Sequence, residues 1–310
     1  MRSLPTPTLV TVADLRREGL SDDDIRSYVR GWHRVRRGIF TPTWPESPHE
    51  QHLVTARAVL IGHRTGTVLS HATAALAWSL PLMVPDPGPV VVSRLGDLTV
   101  PDKRSTGLRV IGSPLDRRDV VVIDGMPVTS AVRTVLDCAR SLPKRVALAV
   151  ADAAAHADLL PDAEMQRVLS QMKGWKGIPR ARAVLPLVEP ATESPGETFC
   201  RVALLDAGFR VTAQYEVVDR GRFIARADFR IDETRVLVEF DGRSKYSLDP
   251  EGEQMAVWKE KRRHDALEAV GFAVVRLSWE DLSDKRQLRL MVERAIARAE
   301  QRHGHFASGW

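Results

Sequence analysis

The chain has 310 residues, with 45 Lys and Arg against 40 Asp and Glu for a formal net charge of +5, and it contains two Cys. This length accommodates two domains with separate hydrophobic cores, whereas two cysteines are too few for a disulfide framework or a cysteine-based zinc site. Because it has neither a long uncharged apolar run nor a secretion signal, the sequence predicts a cytoplasmic protein with no membrane partner.

The positive charge is concentrated in the first part of the chain. Residues 1–190 carry 25 basic and 19 acidic side chains, whereas residues 191–310 carry 20 basic and 21 acidic ones. A basic region beside a nearly neutral one is typical of a phosphate-binding module attached to a second domain. An arginine-rich surface without such a role gives the same totals, so charge alone favours nucleic acid only slightly.

Residues 1–48 have the pattern of a winged helix-turn-helix. Thr11 is a candidate N-cap for a first short helix, and Ser21 with Asp24 forms a capping-box start for a second. A tight basic hairpin follows over residues 32–40. Three hairpin side chains are placed to contact DNA phosphates or a groove edge, namely Arg34, Arg36 and Arg37. The alternative is a small helical cap with an arginine-rich surface hairpin.

Residues 49–190 alternate helical and strand-like patterns and end in a segment rich in Pro and Gly, which predicts a mixed α/β region followed by a linker. Ser70 and His71 lack the Gly-x-Ser-x-Gly surroundings of a nucleophile, so Ser70 is expected to cap the helix that follows.

Residues 12–40, 69–75 and 127–137 resemble the winged-helix domain and following region of abortive-infection type IV antitoxins, the AbiEi-like group. The resemblance covers about residues 8–160. It implies DNA binding and transcriptional autoregulation. A toxin or defence-system partner would fit such a role, and the sequence leaves a homodimer open.

Residues 191–310 have the clearest pattern. A helix with Pro195 in its first turn is followed by three strands, a long helix, a fourth strand and a closing helix. The order α-β-β-β-α-β-α predicts a mixed sheet with helices on its faces, so the fold class is mixed α/β throughout.

Two neighbouring strands of this domain carry acidic residues among apolar ones. Asp232 and Glu233 have the spacing of a two-residue hairpin turn, which would set Asp228 opposite Leu237. Because side chains alternate along a strand, Asp228, Leu237, Glu239 and Asp241 are then predicted to share one face. The opposite face is apolar, with these members: Phe229, Val236, Val238 and Phe240.

Three carboxylates on one face repel each other unless a cation neutralises them, and Mg²⁺ or Mn²⁺ accepts such oxygen ligands. We therefore expect a metal site formed by Asp228, Glu239 and Asp241. Glu197, in the first turn of the preceding helix, is a candidate supporting carboxylate. Lys245 is a candidate for orienting a water molecule or stabilising developing negative charge, with Lys261 as the alternative.

Each of these acidic residues also has a structural interpretation. Asp241 with Gly242 is a common turn signal, and Glu197 can simply complement the positive end of a helix. Asp228 can be an edge-strand charge paired with Arg226 or Arg235. The set as a whole is more specific than any one member.

Residues 194–197, 227–229, 238–242 and 274–282 resemble the very-short-patch-repair-like (Vsr-like) branch of the PD-(D/E)XK nuclease superfamily. The resemblance covers about residues 193–300. It implies a restriction-endonuclease-like α-β-β-β-α-β core that hydrolyses DNA phosphodiesters with Mg²⁺, with Asp228 and Glu239 as metal ligands. The superfamily lysine would fall at position 241, where this chain has Asp, so that role is left to Lys245 or Lys261.

A basic helix follows the acidic strands. Lys261, Arg262 and Arg263 either contact DNA phosphates or form a solvated face. Together these patterns predict a Mg²⁺-dependent DNA endonuclease. The alternative is a non-catalytic DNA-binding regulator of the antitoxin type that has a degenerate nuclease fold.

Overall fold

The computed structural model describes residues 8–63, 65–96, 103–112, 114–242 and 262–303, and the statements below concern these residues. The fold is mixed α/β, as predicted, with three sheets in this part of the chain. The chain divides into two compact units, Met1–Leu187 and Val188–Trp310. The predicted boundaries lay at residues 48 and 190, and the structure groups residues 1–48 with the region that follows them.

The start of the first unit is a small three-stranded sheet with short helices. Thr11 and Ser21 cap the first two helices through their hydroxyl groups, and Ser21 with Asp24 forms a complete capping box. Strand order in the sheet is β1-β3-β2. In chain order the elements are β1 (Val10–Thr11), α1 (Val12–Arg17), α2 (Asp22–Tyr28), β2 (His33–Arg36), β3 (Ile39–Thr41) and α3 (Pro48–Gly62).

The rest of the first unit is built on a six-stranded sheet of order β6-β7-β5-β4-β9-β8. Its strands are β4 (Thr67–Leu69), β5 (Val90–Arg94), β6 (Lys103–Ser105), β7 (Leu108–Ile111), β8 (Val120–Ile123) and β9 (Met126–Thr129). Helix α4 (His71–Ala77) follows β4. Ser70 is at the N-cap of α4, but its hydroxyl makes no capping bond and instead accepts a 2.9 Å hydrogen bond from Ser93 Oγ.

Four helices complete the first unit: α5 (Ala131–Ser141), α6 (Lys144–His156), α7 (Asp162–Gln171) and α8 (Ile178–Val184). Helix α5 is buried along most of its length, and its buried residues include the charged Arg133 and Asp137. Because charged groups are costly to bury unpaired, this helix is held by ion pairs as well as by apolar packing.

The second unit has the predicted element order. It comprises α9 (Pro195–Asp206), β10 (Val211–Asp219), β11 (Arg222–Ile231), β12 (Val236–Phe240), a helix α10 described over residues 262–269, β13 (Ala273–Leu277) and α11 (Lys285–His303). The strands form one sheet of order β10-β11-β12-β13, in which β12 and β13 are parallel and the other pairs are antiparallel.

The predicted turn between β11 and β12 was wrong. Residues 232–235 form a four-residue loop rather than a two-residue turn, with Glu233 in the left-handed region at φ +61°. Phe229 pairs with Val238 and Arg230 with Leu237, so the register differs from the predicted one by two residues. A shift of two keeps every side chain on its predicted face, whereas a shift of one would have reversed them.

The second unit has apolar clusters that use both faces of β12. Phe229 and Val238 pack with side chains of α9 and α11, such as Leu204 and Leu288. Leu237, which points to the opposite side of β12, packs with Ala227 and with Leu267 of α10. The sheet is therefore covered by helices on both sides, and the central strands β11 and β12 are held rigidly.

Candidate functional site

The acidic residues of β11 and β12 meet where pairing between these two central strands ends. Extending the observed register by one residue beyond Phe229 and Val238 sets Asp228 opposite Glu239. The backbone N–H of Phe240 donates a hydrogen bond of 2.7 Å to Asp228 Oδ2. The Asp228 carboxylate thus takes the place of a backbone acceptor on the neighbouring strand and is held close to Glu239.

Burial and like charges act together on Asp228. Burial is the largest cause of a pKa raised to about 6 at this carboxyl group; the carboxylates of Glu197 and Glu239 add to the shift, and the Phe240 N–H bond and Arg263 oppose it. Arg226, one of the two arginines considered from the sequence as a partner of Asp228, forms an ion pair with Glu193 at 2.9 Å. Ionised Asp228 is unfavourable because it is partly buried and close to two other carboxylates. A bound cation would offset this cost, so the arrangement is typical of a cation site.

Glu239 is mostly buried and lies between two guanidinium groups. Arg263 of α10 approaches Glu239 Oε1 at 2.6 Å, and Arg276 of β13 approaches Oε2 at 3.5 Å. Arg276 is the register partner of Glu239 across the parallel pair β12–β13, which explains the second contact. The two arginines bring positive charge to the same strand ends as the carboxylates.

Glu197 is held in the first turn of α9 by hydrogen bonds at its backbone and its side chain. Ser194 caps α9 by accepting the Glu197 N–H, and Glu197 Oε2 accepts the Glu193 N–H at 3.0 Å. The same oxygen accepts a 3.0 Å bond from Gln214 Nε2. Its negative charge is one of the smaller causes of the raised pKa of Asp228, after burial. Glu197 is therefore a fixed carboxylate behind the strand pair.

Gln214 is a site residue that sequence reasoning missed. It interrupts the ladder between β10 and β11, in the gap between the pairs Ala213–Phe229 and Tyr215–Ala227, and its φ is +48°. This left-handed backbone is unfavourable for a residue with a Cβ, and such strain is concentrated at functional sites. The sequence signal was a lone amide within an otherwise half-apolar strand, which is too common to single out.

The approach of α9 to the sheet depends on a glycine. A Cβ on Gly196 would overlap the ring of Phe240, so only glycine allows the first turn of α9 to lie against β12. Phe240 is in turn packed edge-on to Trp279, with 5.0 Å between ring centroids. This contact sets the position of Glu197 relative to Asp228 and Glu239.

The remaining predicted residues lie at or beyond the edge of the site. Asp241 follows the end of β12, where it is exposed and its N–H donates to Leu277 O at 2.8 Å. Lys245 and Lys261 lie outside the described residues. Arg262 is exposed on α10, and Arg263 is tied to Glu239.

Within the described part of the chain, no group of three or more His, Cys, Asp or Glu side chains is placed to hold a metal ion. The three-ligand arrangement expected from the sequence is therefore not assembled. Two carboxylates are nevertheless a sufficient protein contribution for Mg²⁺, because phosphate and water oxygens commonly complete its shell. Asp228 and Glu239, with oxygen donors alone and a raised pKa at Asp228, fit such an ion.

The predicted DNA-contacting arginines lie on the hairpin of the first unit. Arg34 and Arg36 belong to β2, pairing with Phe40 and Ile39 of β3, and Arg37 is exposed in the turn between the strands. None of the helices in the described ranges is long and apolar enough to cross a bilayer.

The chain was compared with known protein families, sequences and structures. No family model matches it. Two Mycobacterium tuberculosis proteins, the uncharacterized Rv2248 (strain ATCC 25618 / H37Rv) and MT2308 (strain CDC 1551 / Oshkosh), are each 26% identical over 216 residues, which is 68% of this chain and 76% of theirs. The crystal structure of the RV2827C protein of M. tuberculosis superposes with a TM-score of 0.39 and 16% identity, over 59% of this chain and 77% of that one. None of these names states an activity.

Proposed function

We propose that the second unit is a Mg²⁺-dependent DNA endonuclease of the Vsr-like type. The observation that supports this most is the paired carboxylates Asp228 and Glu239 at the ends of two adjacent central strands, with Glu197 fixed behind them. The element order of the second unit, which matches the prediction, supports the proposal further. So does the shared face of Asp228 and Glu239, which the two-residue difference in register leaves unchanged. Mn²⁺ would be accepted in place of Mg²⁺, since both take oxygen ligands.

The proposed roles follow from the contacts. Asp228 and Glu239 would hold the cation, which when bound supplies Lewis-acid polarisation of a phosphate oxygen and a water nucleophile at neutral pH. Glu197 and Gln214 position the strand pair and maintain the negative field at Asp228. Arg263 and Arg276 supply the positive charge for the scissile phosphate, because guanidinium groups bind phosphate in a forked geometry. The lysine role stays assigned to Lys245 or Lys261.

The first unit is proposed to hold the protein on DNA. Arg34, Arg36 and Arg37 on the β2–β3 hairpin would contact phosphates from the position of a wing, which orients a protein on the duplex without specifying sequence. This arrangement resembles the AbiEi-like antitoxins noted above.

Incubation with supercoiled plasmid tests the nuclease proposal. The wild-type protein should nick or linearise plasmid with Mg²⁺ or Mn²⁺ and be inactive with EDTA, whereas Asp228→Asn and Glu239→Gln should each lower the rate by about a hundredfold or more. Glu233→Gln is the matched control, because this carboxylate is exposed on the β11–β12 loop and pairs with the exposed Arg210. Equal rates for wild type and Asp228→Asn would contradict the proposal.

One observation favours a second function. The guanidinium groups of Arg263 and Arg276 pair with Glu239 and neutralise its carboxylate, which is what a site that has lost metal binding would require. The alternative is therefore a non-catalytic DNA-binding regulator. It predicts salt-sensitive gel shifts on DNA and no cleavage with any divalent metal, and loss of the shifts in an Arg34→Ala, Arg37→Ala double variant.

A further inference from the structure

A basic cavity lies in the first unit, where β7, α5 and the segment before α8 come together. Its volume is about 510 Å³, within the range of small-molecule sites. The lining contains four cationic side chains and no carboxylate: Arg109, Arg140, Lys176 and Arg180. Trp175 and Ile111 add apolar surface to the wall. A cavity so lined favours an anion that also has an apolar or aromatic part.

The inner wall of the cavity includes a buried, neutral histidine. His71 Nδ1 lies 3.1 Å from Ser70 Oγ and Nε2 lies 3.0 Å from Arg140 Nη2. The pKa of His71 is lowered to about 4, chiefly by burial and also by Arg140, Arg133 and Arg109, against the attraction of Asp137. Because the neutral ring accepts the Arg140 N–H at Nε2, its proton lies on Nδ1 and is donated to Ser70.

The backbone at His71 is strained. Its φ of +55° is in the left-handed region although the residue carries a Cβ, and it stands at the first position of α4. Such a conformation persists only where surrounding contacts over-determine it, and it is found more often at binding sites than elsewhere. The strain and the two ring contacts hold Arg140 in a fixed direction.

Buried ion pairs lie next to this wall of the cavity and fix the position of its side chains. Asp137 receives Arg133 Nε at 2.9 Å and Arg140 Nε at 2.8 Å, and Asp119 receives Arg167 at 2.6 Å. The Arg133 guanidinium lies over the ring of Trp175, with 4.8 Å to the ring centroid. These contacts restrict the cationic and aromatic groups before any ligand arrives, which reduces the entropy cost of binding.

The segment before α8 is held against α5 by a glycine. Gly177 has a φ of +86°, and a Cβ there would overlap the carbonyl oxygen of Arg140. Arg140 Nη1 also donates to the carbonyl of Lys176 at 3.3 Å. The segment that carries Trp175, Lys176 and Arg180 is therefore in a fixed relation to Arg140.

We propose that this cavity binds a phosphorylated small molecule of mononucleotide size. Arginine guanidinium groups recognise phosphate through paired charge-assisted bonds, and the apolar part of the wall, at Trp175 and Ile111, suits contact with the edge of a heterocyclic ring. The volume is larger than inorganic phosphate needs. The cations converge on one concavity, whereas a DNA-binding face would spread them in a stripe along the surface.

Isothermal titration calorimetry of the full-length protein tests the proposal, with ADP as the probe and EDTA present. EDTA removes metal-mediated binding of ADP at the acidic site of the second unit, so the result does not depend on the nuclease proposal. ADP should bind measurably better than inorganic phosphate or adenosine. Arg180→Ala and Lys176→Ala should each weaken ADP binding about tenfold.

Two matched controls lie beside these residues and outside the cavity lining. Arg182→Ala, on the same helix as Arg180, and Lys173→Ala, three residues before Lys176, remove equal charge from exposed positions. Both should leave the ADP affinity within about twofold of wild type, since exposed charges at a distance are screened.

Four results would overturn the proposal. The first is no ADP binding at millimolar concentration, and the second is equal weakening of ADP binding by the cavity variants and their controls. The third is inorganic phosphate binding as tightly as ADP. The fourth is cavity variants that lose affinity for duplex DNA and keep their affinity for ADP. Either of the last two would assign the cations to a different ligand.

Discussion

At the scale of single residues, Asp228 carries the most information about the second unit. Its carboxylate accepts a hydrogen bond from a backbone N–H of the neighbouring strand, which stabilises the folded protein. Burial and the nearby acidic side chains make its negative charge unfavourable, which destabilises the folded protein. Natural active sites commonly retain groups that lower the stability of the protein without its ligand. Removal of the Asp228 charge should therefore raise the stability of the metal-free protein and lower the proposed nuclease activity.

We predict that Asp228→Asn stabilises the metal-free protein at neutral pH. The pKa of Asp228 is about 6 in the folded protein against 3.8 in the unfolded chain, so ionisation costs stability as the pH rises from about 4 to 6. The difference would be about 3 kcal/mol for a fully buried group, and partial exposure reduces it to about 1 kcal/mol. Asparagine keeps an oxygen for the Phe240 N–H.

Urea unfolding in EDTA, followed by circular dichroism at pH 7.5 and pH 4.0, measures this difference. The variant should be more stable at pH 7.5 and match wild type at pH 4.0. If the proposed metal site binds Mg²⁺, its addition at pH 7.5 should stabilise the wild type and leave Asp228→Asn unchanged, because a ligand of the folded state stabilises that state and the variant lacks the carboxylate. A variant less stable than wild type at pH 7.5 would show that the charge is compensated in the folded protein.

At the scale of elements, the position of α9 on the sheet depends on close packing between Gly196 and the Phe240 ring. The ring cannot move freely, because Trp279 packs edge-on against it. Glu197 follows Gly196 directly, so a shift of this helix also shifts a site carboxylate.

We predict that Gly196→Ala destabilises the second unit by about 1–3 kcal/mol, which is the usual cost of overpacking. If the nuclease proposal holds, the same variant should lower plasmid cleavage more than its stability explains, since Glu197 is displaced. Gly62→Ala is the control: a Cβ there meets no atom within 4 Å, so stability should be unchanged or slightly higher. Thermal unfolding and plasmid cleavage measured on both variants test these expectations, and a Gly196→Ala protein as stable as Gly62→Ala would contradict the first.

At the scale of the whole molecule, the pKa shifts of three buried groups predict that the two units respond to acid in opposite directions. Burial lowers the pKa of His52 and of His71 in the first unit to about 4, against an ordinary value of 6.5. Between pH 6.5 and 4 the unfolded chain binds these protons better, so the first unit loses stability as the pH falls. Asp228 in the second unit has a raised pKa and acts in the opposite direction over pH 6 to 4.

We therefore predict that a shift from pH 7.5 to pH 4.5 lowers the unfolding temperature of the first unit by roughly 5–10 °C more than that of the second. Peptide-resolved hydrogen exchange during heating, with residues 131–139 and 225–231 as reporters, assigns each transition to its unit. Equal shifts in both units would mean that these three groups do not dominate the acid response.

The order of elements in the second unit could be predicted from local patterns. Strand alternation, the Ser194–Pro195 helix start and the apolar periodicity each depend on neighbours in the chain, so sequence alone was enough. The register was not predictable to the residue, because the loop between β11 and β12 has two residues more than its turn signal suggested. The faces were still correct, since the error was an even number of residues.

The chain by itself determined the mixed α/β class, the capping of the first helices, and the placement of Asp228 and Glu239 on adjacent strands. Those features come from interactions between residues near in sequence and from the twofold alternation of strands. Only the tertiary structure decided that Gln214 reaches Glu197, that Arg263 and Arg276 pair with Glu239, and that the first unit forms a basic cavity. These contacts join residues far apart in the chain, whose approach depends on packing that no local pattern encodes.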